Sequence, residues 1–217
     1  MTSSSVNADV SKQRSISLLT LLPVVSLGWL VIAILLAGAA YPGYSHLTQF
    51  MSELGATGAP HGIYVNMAGF LVAELLVLGF VVLAFGRLQG AVLLRASVLM
   101  IAVYALLIIV ASFFTCDFQC RPESPTLSHS THMASAALAY LSALFAVLLA
   151  ALSPSQHSSR AFRLYSLLTW LACSVVMGYL ISEPQWIGFW QRVYELLIYT
   201  WMIVFAFQVQ RKTDAQL

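Results

Sequence analysis

Charge is what this chain has least of. Only 8% of its 217 residues are Asp, Glu, Lys or Arg, while 60% are hydrophobic. A soluble domain carries roughly 25% charged residues. The deficit leaves too little polar surface to clothe a water-soluble globule of this length. Cysteine is scarce too: there are three, with one close pair, short of the two close pairs of a strong zinc signature. Several catalytic signatures are missing. There is no G-x-x-x-x-G-K-[ST] phosphate loop, no G-x-S-x-G elbow and no H-E-x-x-H helix. No histidine pair lies at mid-membrane depth to ligate a haem. No internal repeat is visible, which speaks against the commonest transporter architecture. No RNA- or DNA-binding motif is present, and the net charge of +2 reflects topology rather than a nucleic-acid patch.

Long apolar runs are what the chain does have. A membrane-spanning helix needs about 20 mostly apolar residues, and six runs qualify, at about 17–40, 62–85, 96–114, 132–152, 164–182 and 191–208. They predict an all-α, polytopic integral membrane protein of six transmembrane helices. Short connections make neighbouring helices antiparallel. The whole is one domain over 17–210 between two tails, 1–16 and 211–217. The first tail is Ser-rich and polar, and disorder is expected there. The first run carries an "AGA" that resembles a signal-peptidase site, but it exceeds the signal-peptide core of about 7–15 residues, so a retained helix is expected.

Lys and Arg set orientation. Eight of the ten fall on one face (Lys12, Arg14, Arg87, Arg95, Arg160, Arg163, Arg211, Lys212), leaving Arg121 and Arg192 for the other. Both termini are therefore expected in the cytoplasm, the chain in a bacterial-type plasma membrane, and membrane lipid as its partner. A homo-oligomer stays open.

With that topology the outer face collects the chemistry: His46, Glu53, His61, Asp117, Glu123, His129, His132, Glu183, Arg192 and Glu195. Acids hardly influence insertion, so topology alone does not require this clustering. "CDFQC" places Cys116 and Cys120 four apart in the third-to-fourth connection. On an oxidising face they can form a disulfide; the rival reading is a two-thiolate metal half-site. Cys173 reads as a small buried hydrophobe. Ser and Thr before an apolar run signal a helix start, which places the fourth helix from near Ser130. His129 and His132 then lie close to one face, either as half a metal site or as interfacial histidines bonding loop carbonyls. Small residues repeat every four along that helix (Ser135, Ala139, Ala143; Ser142, Ala146, Ala150). Such stripes permit close packing and suggest a central fourth helix.

Glu74 lies about halfway along the second run. An intramembrane carboxylate is costly and faces the bundle interior or water. Asn66, two turns away on nearly the same face, could share a polar track with it. The chemistry is proton transfer or cation coordination, or else a neutral acid hydrogen-bonded to a neighbouring helix. "GFWQRVYE" sets Arg192 three residues before Glu195. The two can pair with each other, Arg192 can take a lipid phosphate with its two-pronged fork, or it can snorkel within an aromatic belt.

"MSELGATGAP" after the first helix, Asn66 in the second, "CDFQC" after the third, His132 opening the fourth and "GFWQR" before the sixth together resemble the bacterial and archaeal "domain of unknown function 998" membrane proteins. The resemblance spans about Ser17 to Gln208. It implies a six-helix integral membrane protein and carries over no activity and no catalytic residue. A fainter similarity, to eukaryotic six-helix proteins of the Frag1/DRAM/Sfk1 kind, implies a tie to lipid remodelling or membrane homeostasis only as fold-level analogy.

Three functions compete. In a lipid-handling or metal-dependent membrane enzyme, Glu53, Asp117 and His132 are the candidate catalytic residues and Arg192 the headgroup ligand, with His61 and Glu195 behind them; no particular metal or cofactor is implied. In a small proton-coupled carrier, Asn66 and Glu74 do the work. In a non-catalytic scaffold, Glu53 caps backbone N–H groups, Asp117 sits in a turn and Arg192 forms a salt bridge.

Overall fold

The computed structural model describes residues 17–182 and 184–214. The expected disordered tail 1–16 and most of the second tail's end, 215–217, lie outside the described residues, as does Glu183. Six helices follow one another: α1 (Leu18–Ala40), α2 (Gly62–Arg87), α3 (Val92–Phe113), α4 (Leu127–Ala151), α5 (Arg160–Ser182) and α6 (Ile187–Asp214). All six are long and apolar enough to cross a membrane. Each packs on its neighbours in sequence and α1 meets α6, so the six close into a ring. One end of the ring carries the described chain ends, and the other carries the Cys116–Cys120 connection.

Most helices overrun their apolar stretches by about a turn. The fourth starts at Leu127 rather than near Ser130 or His132, because Thr126 is its N-cap: the Thr126 hydroxyl accepts from the His129 N–H at 3.1 Å. A capping hydroxyl satisfies an otherwise orphaned helix N–H, so polar turns can lie inside a helix that hydropathy alone ends early. The sixth runs from Ile187 to Asp214 instead of 191–208: it gains the turn Ile187–Trp190 at its start, and its last turns are polar but helical.

The sixth helix, not the fourth, is the most deeply buried. Half of its most apolar window is buried, against 39% for α4. The small-residue stripe of α4 serves another contact. Ala139, Ala143, Ala146 and Ala150 are wholly buried, and they bring α4 so close to α3 that Ser97 donates to the Ala146 carbonyl at 2.7 Å. α6 sends Tyr194, Ile198, Tyr199, Trp201, Met202 and Phe205 inward, all fully buried. Towards the chain ends the core is aromatic. Phe205 meets Phe80 edge-on at 6.3 Å, stacks on Phe162 at 5.5 Å and leans on Trp201 at 5.2 Å.

The chain between α1 and α2 does not arch away over the surface. It folds back into the other end of the ring as a roof. Its centre is a short 3-10 turn, Met51–Gly55, in which Met51, Glu53, Leu54 and Gly55 are buried. Nearby, Gly188 lies flush against this segment at the start of α6. A Cβ at Gly188 would come within 2.8 Å of the His46 carbonyl oxygen and 2.9 Å of the Gln49 nitrogen. Backbone atoms cannot swing aside, so Gly188→Ala should cost about 1–3 kcal/mol, the range for overpacking. Thermal unfolding of the purified protein checks this. Gly178→Ala, where nothing lies within 4 Å of the new methyl, should leave the melting temperature unchanged or slightly raised.

Candidate functional site: a roofed polar cavity

The roof is stitched down by polar groups that sequence reasoning had considered for chemistry. Arg192 has the most partners. Its Nη1 donates to the carbonyls of His46 (2.7 Å), Gln49 (3.3 Å) and Gly188 (2.8 Å). Its Nη2 donates to the Tyr44 hydroxyl at 2.7 Å and to His46 Nδ1 at 3.0 Å. Arg192 and Glu195 do not pair with each other. The Tyr44 hydroxyl in turn donates to the Phe50 carbonyl at 2.8 Å. Gln191 Oε1 accepts from the Met51 N–H at 2.7 Å, and Phe189 N–H reaches the Leu47 carbonyl at 2.9 Å.

Glu53 is 2% exposed. Its carboxylate accepts from the Phe50 N–H at 2.9 Å and from Gln49 Nε2 at 2.8 Å. It closes its own turn. Asp117 accepts from the Thr126 N–H at 2.9 Å and the Thr126 hydroxyl at 2.8 Å, and so holds the cap of α4 in place. These bonds, the backbone one first, hold its carboxyl below the usual range. The Asp117 N–H donates to His129 Nδ1 at 3.2 Å. Cys116 and Cys120 form a disulfide, Cα to Cα 5.1 Å. It packs on Ala56 and Phe50, and the Cys116 carbonyl accepts from the Thr57 N–H at 2.9 Å. Cys173 is free and buried.

Beneath the roof is a cavity of about 50 Å³. Met51 and Ser52 line it from the roof, Asn66 and Glu74 from α2, Ser112 from α3, His132 and Tyr140 from α4, and Gln191 and Glu195 from α6. That is room for a few waters or an ion and far below the several hundred Å³ of a substrate pocket. Glu74 is 1% exposed. Its Oε1 accepts from the Tyr199 hydroxyl at 3.3 Å, and its Oε2 has no hydrogen-bond partner. Glu195 is 7% exposed and accepts from the Tyr104 hydroxyl at 2.6 Å. The Tyr140 hydroxyl lies beside Gln191 and Glu195 but makes no well-formed hydrogen bond. His132 Nδ1 sits 2.8 Å from the Ala111 carbonyl and 2.9 Å from that of Phe114. Both are acceptors, so Nδ1 carries the proton, and Nε2 is the acceptor of the neutral ring.

One backbone feature delivers Asn66 to this place. α2 opens with a π-helical stretch, Val65–Phe70, which adds a residue per turn and turns the polar face inward. Asn66 Nδ2 donates to the Gly55 carbonyl at 2.9 Å, tying α2 to the roof. The Trp29 indole N–H donates to the Ala68 carbonyl at 2.6 Å within the same stretch. On the far side of Glu74 the core closes with Val77, Phe80, Trp201, Met202 and Phe205.

Two lipid-facing grooves flank α1. One, of about 370 Å³, runs between α1 and α6, with Arg192 and His46 at one end. It shares Leu30, Met51 and Glu195 with the polar cavity. The other, of about 320 Å³, has exposed His61 and Tyr64 at its edge and Trp29 and Gly69 along its wall. Among the described residues no three His, Cys, Asp or Glu side chains stand together so as to hold a metal ion.

A family model described as protein of unknown function (DUF998) matches residues 24–208. The chain belongs to that family. No curated protein and no solved structure matches it.

For this DUF998 member, then, the residues considered from sequence divide into two sets. Asn66, Glu74, His132 and Glu195 line one cavity. Glu53, Asp117 and Arg192 spend their hydrogen bonds on the loops around it. Sequence reasoning missed Tyr140 and Gln191, which line the cavity, and Tyr104 and Tyr199, which bond its two acids. The available signal was the spacing of Gln191, Glu195 and Tyr199 at i, i+4 and i+8 along one face of α6.

His46 yields a test of the roof. Burial and the Arg192 cation hold its imidazole below the usual value, and its Nδ1 must stay unprotonated to accept from Arg192. A base held neutral by the fold gives stability that is fully present above the unfolded value of about 6.5 and is lost as pH falls through the lower folded value. The wild-type melting temperature should therefore fall more steeply than that of His46→Gln as pH drops below about 6.5. Parallel slopes would show that the imidazole does not hold the roof.

Proposed function

We propose that this protein is a small proton-coupled carrier whose working centre is the Glu74–Glu195 cavity. The supporting observation is a charge imbalance. Two acids from different helices share one buried cavity, and no Lys or Arg is among the described residues that line it. Like-charged carboxylates in a low-dielectric site cannot both stand bare. Protons or a cation must balance them, and exchange of that balancing charge is the work of a proton-coupled site. Intramembrane acids of this kind mark proton and ion paths. The enzyme reading draws less support, because Glu53 and Asp117 are already bonded to backbone N–H groups and the Arg192 fork to carbonyls. Lipid handling keeps one specific observation in its favour: the α1–α6 groove that shares Glu195 with the cavity.

The test joins two measurements. In the infrared, the purified protein should show a carboxylic-acid C=O band that titrates with pH and shrinks in both Glu74→Gln and Glu195→Gln. In proteoliposomes with a trapped pH dye and an imposed potential, proton entry should fall about a hundredfold in Glu74→Gln, the low end of what a positioned proton-transfer group contributes. A C=O region and a proton flux both unchanged by the two substitutions would overturn the reading.

A further inference from the structure

We infer that the same cavity is a binding site for a small, hard monovalent cation of the sodium type, held chiefly by Glu74 in exchange for its proton. The inference rests on the carrier reading for the place of the site, and on three separate observations for its ligand.

The first is the orphaned oxygen. Glu74 Oε2 is buried, lines the cavity and has no hydrogen-bond partner. A buried acceptor left unmade costs about 1–3 kcal/mol, and more when it belongs to a charged group. Something that carries positive charge satisfies it best. The Tyr140 hydroxyl, also without a well-formed bond, offers a second oxygen on the same cavity.

The second is the donor chemistry. Asn66 commits its NH₂ group to the Gly55 carbonyl, and its carboxamide oxygen, which lies against Gly55, has lone pairs to offer on a residue that lines the cavity. Ser112 donates its proton to the Ile108 carbonyl at 2.9 Å, so its oxygen too has lone pairs to offer. Oxygen ligands of this kind suit hard cations and not soft transition metals.

The third is size and charge. A cavity of about 50 Å³ admits an ion with one or two waters and nothing larger. Glu195 is engaged by Tyr104, and one Glu74 oxygen is engaged by Tyr199. Glu74 Oε2 is left without a partner, and with Glu195 protonated the one remaining carboxylate charge matches a single positive charge. A divalent ion would need a fuller cage of six or more oxygens.

Several titratable groups face this site, and they bear on its pH dependence. They are Glu195 and Tyr199 from α6, Tyr104 from α3, and Tyr140 and His132 from α4. α1 contributes only the Ser26 hydroxyl, which donates to the Ala73 carbonyl at 2.7 Å and lies 3.3 Å from the Tyr199 hydroxyl. No Lys or Arg is among the described groups that face it, so proton and metal ion compete for the same negative charge.

The experiment uses the full chain, purified in nanodiscs, with its melting temperature followed against NaCl and against choline chloride of equal ionic strength. An ion that binds only the folded state raises the melting temperature with its concentration. Sodium should do so and choline should not. The sodium needed for half the effect should rise about tenfold per pH unit lowered, as one proton displaces one ion. Lithium and potassium rank the site by size; a response to magnesium or calcium alone would overturn the monovalent assignment. Glu74→Gln should abolish the sodium response. Tyr140→Phe guards against a folding defect in that variant, since it removes a hydroxyl that makes no well-formed bond, and it should weaken the sodium response several-fold. Equal melting curves in sodium and choline would overturn the inference. If the infrared C=O band still titrates in that case, the carrier reading survives alone. If sodium stabilises the protein but no band titrates and no protons flow, the cation site stands and the carrier reading falls.

Discussion

Everything at the disulfide end of this protein depends on one guanidinium. Arg192 gathers the carbonyls of His46, Gln49 and Gly188 together with the Tyr44 hydroxyl. The His46 and Gln49 carbonyls belong to a segment that has no regular partner strand or long helix to receive their hydrogen bonds, and Gly188 lies in the first turn of α6. In or near lipid, an unpaired carbonyl is costly and no bulk water stands by to relieve it. Arginine suits the task because it carries five N–H donors in a fixed fork and keeps its charge. With the carbonyls satisfied, the segment can lie inside the ring rather than over it, and Met51 can reach Gln191. The cavity exists because it has this roof.

The same constraint explains the odd start of α2. A roof that ends in Gly55 leaves a buried carbonyl, and Asn66 supplies the amide that meets it. A side chain on Gly55 would collide with the Asn66 carboxamide, so glycine and asparagine work here as a pair. The π-helical widening from Val65 to Phe70 frees backbone carbonyls in turn, and the Trp29 indole takes the one at Ala68. Roof, π stretch and α1 are thus linked by successive repayments of backbone hydrogen bonds. At the other end of the ring stacked aromatic rings dominate, with Gln208 tying α6 to the loop at His157 and Ser159 and the Trp201 indole donating to Ser166.

How far the sequence discloses this depends on the kind of residue. Six spans follow from composition, since lipid demands about 20 apolar residues at each crossing. The partnership of Asn66 and Glu74 follows from helical spacing, although the π stretch shifts the register that the spacing assumed. The role of Arg192 was not legible. A guanidinium before an aromatic run looks the same whether it meets a phosphate, a neighbouring glutamate or three carbonyls, and only the fold of residues 41–61 decides. Glu195 misled for a related reason. Its spacing from Arg192 suggests a pair, but helix α6 begins a turn earlier than hydropathy implies, and this draws Glu195 down from the tip into the core beside Tyr104. The four-residue repeat of small side chains on α4 was legible as close packing, but not as packing on α3 in particular.

Rigidity is distributed unevenly around the cavity, and this bears on how a balancing charge could reach it. The roof is cross-linked to α2 by Asn66, to α6 by Arg192 and Gln191, and to the disulfide loop through Thr57. The floor is a close-packed layer of large side chains with no exposed surface, and displacing it would forfeit aromatic packing worth several kcal/mol. The flank between α1 and α6 differs from both. There the polar cavity and the lipid-facing groove share Leu30, Met51 and Glu195, and flexible aliphatic and thioether side chains do much of the separating. Methionine changes rotamer at little cost. α1 has its shortest polar ties to α2, through Ser26 and Trp29, and a longer one to α6, from Ser26 to the Tyr199 hydroxyl at 3.3 Å. The flank with the fewest short polar ties is therefore the α1–α6 seam, beside a roof held by Arg192.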